Sequence, residues 1–82
     1  MSYWNYRIFR HTKDGEEWFA IHECYYDENN KVTGWTTRQI DPYGDSVEEL
    51  KDVLEMMYEA LDKPVLEYDD ESPTEKGEIN NA

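Results

Sequence analysis

Residues 3–26 read YWNYRIFRHTKDGEEWFAIHECYY, two aromatic-rich runs on either side of Asp14-Gly15. An Asp-Gly pair in that setting marks a tight hairpin, because a type I′ turn needs positive φ at both central residues. A two-residue loop also sets the register. Ile8 then faces Ile21, Arg10 faces Phe19, Tyr6 faces Glu23 and Trp4 faces Tyr25. Side chains alternate along a strand. One hairpin face therefore carries Trp4, Tyr6, Ile8, Phe19, Ile21 and Tyr25, with Arg10 and Glu23 among them. The second carries Asn5, Arg7, Phe9, His11, Trp18, Ala20, His22 and Cys24. The first face is richer in apolar groups and is expected to be the core side. A longer loop would exchange the two.

Outward from the hairpin, Asp27-Glu28-Asn29-Asn30-Lys31 reads as a second turn, since Asn tolerates left-handed geometry. Val32–Ile40 follows as a third strand, with Gly34 as a candidate bulge. A tight turn at Asn29-Asn30 puts Trp35 opposite Cys24 on the second face. Pro42 and Gly44 punctuate a loop over Asp41–Asp45. Ser46 with Glu49 three residues on is a capping box that opens a helix. Val47, Leu50, Val53, Leu54, Met57 and Leu61 give that helix one apolar stripe. Lys63-Pro64 ends it near Asp62, and Val65–Tyr68 offers a short strand at a sheet edge. The expected fold is α+β: a three-stranded antiparallel meander with one helix packed on one face, βββα or βββαβ. Residues 1–68 are expected to form a single domain. Residues 69–82, polar and acidic, are expected to be a disordered tail.

Charge narrows the partners. The net charge is −12. Residues 1–40 carry five Lys/Arg against six Asp/Glu, and residues 41–82 three against fourteen. Direct nucleic-acid binding is disfavoured, because neutralising phosphates needs clustered Lys/Arg. Anionic membrane surfaces are disfavoured for the same reason, and a basic protein partner is favoured. The single Cys24 precludes an internal disulfide and suits a reducing compartment. With no signal-peptide pattern and no long apolar run, a soluble cytoplasmic protein is expected.

Motifs for chemistry are weak. Glu48, Asp52, Glu55, Glu59 and Asp62 recur at spacings of 4, 3, 4 and 3, an acidic stripe beside the apolar one. It reads as a solvated face, as a docking face for a basic partner, or as a mimic of nucleic-acid phosphates. His22 and Cys24 share a strand face, but zinc normally takes four ligands at characteristic spacing. A Cys24/His22 nucleophile–base pair has no evident third group or oxyanion hole. No metal or cofactor is expected. Glu23 stands on the core face and is expected to have a partner, since an unpaired buried carboxylate is costly.

One helix covers one face of a small sheet. The second face, with Arg7, Phe9, Trp18, His22 and Trp35, is therefore expected to be an interaction surface, because Trp, Tyr and Arg dominate interface hot spots. The leading expectation is a small non-enzymatic protein-interaction module, binding itself as a homodimer or binding a basic protein. The alternatives are an acidic nucleic-acid-mimic inhibitor of a DNA- or RNA-binding enzyme, and a minimal metal-binding or enzymatic protein using His22, Cys24 and Glu23.

The segments Trp4-Asn5-Tyr6-Arg7-Ile8, Ile21 to Asp27, Gly34-Trp35-Thr36, Pro42-Tyr43-Gly44 and Leu61 to Leu66 resemble a group of small bacterial and phage proteins of uncharacterised function. That resemblance spans residues 3–66. It implies a bacterial or phage origin and no activity, cofactor or site residue.

Overall fold

The computed structural model describes residues 2–69. In chain order they form β1 (Tyr3–Lys13), β2 (Glu16–Tyr26), β3 (Val32–Trp35), α1 (Val47–Glu59), a 3₁₀ turn (Ala60–Asp62) and β4 (Leu66–Glu67). The strands make one sheet in the order β3-β2-β1-β4, and the fold is α+β. β1, β2 and β3 pair antiparallel as expected. β4 pairs parallel to β1, so the sheet is mixed rather than purely antiparallel.

The Asp-Gly turn sets the β1–β2 register. Asp14 (φ 53°) and Gly15 (φ 83°) both take positive φ, and Ile8 faces Ile21, Tyr6 faces Glu23 and Trp4 faces Tyr25. The second turn reaches its register by another route. Asn30 N–H donates to the Asp27 carbonyl at 3.0 Å, and Asn30 itself is left-handed at φ 65°. Asp27 N–H donates to the Lys31 carbonyl, closing a three-residue loop. The Asp27 carboxylate accepts the N–H groups of Asn29 and Lys31, which hold it below the usual aspartate range. The odd residue is absorbed by a bulge beside Tyr25 and Tyr26, which restores Trp35 opposite Cys24.

β3 is shorter than the expected Val32–Ile40, and Thr36 explains why. Its hydroxyl accepts the Glu23 N–H at 3.2 Å and donates to the Arg38 carbonyl at 2.9 Å. A side chain thus replaces a main-chain partner and the ladder stops. The chain rejoins β2 at Ile40, whose N–H donates to the Ile21 carbonyl at 2.8 Å.

Ser46 caps α1 by accepting the Glu49 N–H at 3.1 Å. The Glu49 carboxylate returns the bond one residue earlier than the capping-box pattern, to Asp45 N–H. Gly44 is required here: a Cβ on it would come within 2.5 Å of the Leu50 backbone nitrogen.

The core has two layers. On the first face Tyr6, Met57 and Ala60 are buried, with Ile8, Ile21, Ile40 and Val53 packed against them. This is the side expected to meet the helix. The second face was expected to stay open, and it does not. Phe9, Cys24 and Tyr26 are buried there, packed by Trp35, Leu66 and Tyr68. The cover is the segment after the helix. Arg7 anchors its start, donating to the Pro64 carbonyl at 2.7 Å and the Tyr26 hydroxyl at 2.8 Å. Tyr68 closes its end, donating from its hydroxyl to the Thr37 carbonyl at 3.1 Å. A strap of a few residues does what a second helix would otherwise do. Apart from Asp69, the expected acidic tail over 69–82 lies outside the described residues.

Candidate functional site

Covering the second face redistributes the exposed apolar residues. Of the residues expected to form an interaction surface, Phe9, His22 and Arg7 are buried within the chain and Trp35 is half-buried. Trp18 keeps an exposed edge and stacks on His11 with ring centroids 5.2 Å apart.

The exposed apolar groups gather on the first face instead. A groove of about 460 Å³ runs between α1, β2 and the chain leading out of β3. Ile21, Ile40 and Met57 line its floor; Phe19, Pro42, Leu54, Tyr58 and Leu61 form its walls. The wall residues stay open to solvent, with Tyr58 at 71%, Leu61 at 62%, Phe19 at 55% and Leu54 at 46% exposure. The helix explains the opening. Val53, Met57 and Ala60 take the sheet-facing stripe. Leu54, Tyr58 and Leu61, spaced four and three apart, form a parallel stripe one step round the helix, where a narrow sheet no longer reaches. Phe19 follows the same logic: it sits near the hairpin turn, beyond the covering helix.

All five residues of the acidic stripe are exposed. Their spacing puts them on the side of α1 away from Val53, Met57 and Ala60. Tyr58 lies three residues after Glu55 and four before Asp62, so two carboxylates flank the groove wall. Asp41 borders the opposite wall beside Ile40 and Pro42. Lys51 is the one base within α1, and Arg38 precedes Gln39, which lines the groove.

Tyr58, Phe19 and Pro42 are groove residues that sequence reasoning did not select. The available signal was the width of the helix pattern: Val47, Leu50, Val53, Leu54, Met57, Tyr58 and Leu61 sweep more arc than one sheet covers.

Glu23 has the partner its position demands. The Tyr25 hydroxyl donates to its carboxylate at 2.7 Å. Burial, together with Glu23, pushes the Tyr25 phenol up to about 12. The residues considered for a metal or nucleophile do not assemble into one. Among the described residues no three His, Cys, Asp or Glu side chains cluster as a metal site. His22 points at His11, with 2.9 Å between their Nε2 atoms. Cys24 is buried, and desolvation raises its thiol above the usual range, the opposite of what a thiolate nucleophile requires. Among the described residues no helix is long and apolar enough to cross a membrane.

Comparison of the chain with protein-family models, curated proteins and solved structures finds no match in any of the three.

Proposed function

We propose that this chain is a small non-enzymatic protein-interaction module whose first-face groove docks an apolar segment of a basic protein. The reading rests on one observation: Phe19, Leu54, Tyr58 and Leu61 are exposed together around a single groove. An amphipathic helix with two or three apolar anchors and flanking Lys or Arg suits it, in the helix-in-groove mode. The anchors would fill the groove while the flanking bases meet Glu55, Asp62 and Asp41. Charge favours such a partner over a second copy of this chain, which would bring the same acidic helix to the contact. The apolar walls also favour docking over phosphate mimicry, which needs only the carboxylates.

The test uses a dye-labelled amphipathic peptide of Leu and Lys, read by fluorescence anisotropy. Binding is expected to weaken with salt, and to fall at least tenfold in the Leu54→Glu, Leu61→Glu double variant. Both positions are exposed, so the fold is expected to survive. Equal binding of a peptide with Glu in place of Lys, or an unchanged affinity in the double variant, would sink the reading.

A further inference from the structure

The second face holds an arrangement that groove docking does not use. His11 and His22 meet through their Nε2 atoms at 2.9 Å, with ring centroids 5.1 Å apart and planes inclined by 28°. That centroid separation leaves little beyond the two ring radii, so the nitrogens point at each other rather than at a shared third atom. His22 Nδ1 lies 2.9 Å from the Thr36 carbonyl, which can only accept. His22 therefore carries its proton on Nδ1 and aims a bare Nε2 lone pair at His11, whose Nε2–H donates. This contact survives with His11 neutral or charged, because the donor nitrogen keeps its hydrogen in both states. A single added proton is shared, because a neutral His11 can hold its hydrogen on Nδ1 and accept from His22 Nε2; the contact is lost when both rings are charged and two N–H groups face each other at hydrogen-bond distance.

The strap rests on this pair. The Tyr68 ring stacks on His11 at 4.3 Å and lies 5.2 Å from His22. Its N–H donates to the Arg10 carbonyl at 3.0 Å, and its hydroxyl reaches the Thr37 carbonyl beyond β3. Among the described residues, other titratable or charged groups lie close to the pair. Lys13 lines the recess shared by His11 and Tyr68, the buried thiol of Cys24 lies two residues along β2, and Asp69 follows Tyr68. Desolvation holds His22 below its ordinary value, and the neighbouring His11 also lowers it. β4 contributes only two paired residues, whereas β1 and β2 pair along their full length. The strap is the weaker attachment.

We propose that the His11–His22 pair is an acid-released latch: a second proton, charging both rings, frees the strap from Val65 to Tyr68 and uncovers Phe9 and Trp35, while the β1–β2 hairpin stays paired. In the released state the aromatic face becomes an accessible surface, so acid adds a second docking face to the one on α1.

Amide hydrogen exchange on the full chain, from about pH 7.5 down to about pH 5, tests this. Protection factors at Leu66 and Tyr68 are expected to fall about tenfold for each pH unit over the range in which the released pair holds two added protons and the latched pair one. Those at Phe9 and Ala20, a hydrogen-bonded pair of the β1–β2 ladder, are expected to hold. In His11→Gln the amide can turn to accept from a protonated His22, so the acid-dependent loss is expected to disappear. Strap protection unchanged across the range, loss shared equally by the hairpin, or the same loss in His11→Gln would overturn the latch. Imidazole nitrogen shifts of the wild-type chain supply a check that needs no variant. They are expected to show His22 protonated on Nδ1 and bare on Nε2 near neutrality, and the reverse tautomer would also overturn it.

Discussion

Arg7 shows at the scale of one residue why the second face closed. An arginine on a small sheet reads as a solvated or interfacial cation, and alternation alone places it beside Phe9 without saying what lies above. In the fold its guanidinium is buried and bonded to two neutral oxygens, one of them on the strap. Hydrogen bonds to a charged group are each worth about 1.5–3 kcal/mol, and a buried cation gains nothing from water it no longer touches. Arg7→Ala is therefore expected to lower unfolding stability by about 3 kcal/mol in urea titration. A loss below about 1 kcal/mol would mean that the strap does not depend on it. Arg7→Lys should recover only part, because an ammonium cannot span the Tyr26 hydroxyl and the Pro64 carbonyl with the same fork.

At the scale of elements, local chemistry was legible wherever it was self-contained. Asp14-Gly15 dictates its own turn and register, and Ser46 with Glu49 dictates where α1 begins. Val65–Tyr68 alternates like a strand, but nothing within it announces that it will run parallel to β1 or that Tyr68 will reach the chain beyond β3. Those are long-range pairings, decided by contacts some 57 residues apart such as Arg7 with Pro64. Thr36 failed to signal the end of β3 for the same reason, since its effect depends on Glu23 lying opposite. The groove was half legible. Leu54 and Leu61 stood in the apolar stripe, but only the sheet's width decides which members of a stripe are covered. Two consequences belong to α1. Ser46→Ala removes the side-chain acceptor of the Glu49 N–H and is expected to cost about 1 kcal/mol, read by thermal unfolding. Glu59→Lys and Asp62→Lys reverse acids at the helix end where the dipole favours cations, and each is expected to stabilise by about 0.3–1 kcal/mol. The same reversals should weaken the Leu/Lys peptide. Gains in both stability and binding would show that the stripe plays no part in docking.

For the whole molecule, His22, Asp27, Cys24 and Tyr25 bear on the pH range of the fold. His22 has a folded value below its ordinary 6.5, so the unfolded chain takes up the proton first. Its contribution is complete above 6.5 and is lost as pH falls below it. Asp27 is held below its ordinary 3.8, so its contribution is present above 3.8 and is lost on further acidification. Cys24 and Tyr25 run the other way: burial raises the thiol above its ordinary 9.0 and the phenol to about 12, so their neutral forms belong to the fold, and those contributions are lost as pH rises from 9 and from 10. Thermal midpoints are expected to form a plateau between these limits, with the acid shoulder near 6.5 absent in a His22→Gln variant.

The two faces differ in kind at this scale. One is filled by the chain's own strap, and the other keeps an apolar groove beside an acidic helix. Nitrogen–proton chemical-shift mapping with the unlabelled Leu/Lys peptide near neutral pH tests that division most directly. Groove docking predicts shifts concentrated at Phe19, Ile21, Ile40, Leu54, Tyr58 and Leu61, with Cys24 and Trp35 unmoved. Shifts centred on Trp18, His22 and Trp35, with the groove silent, would contradict it.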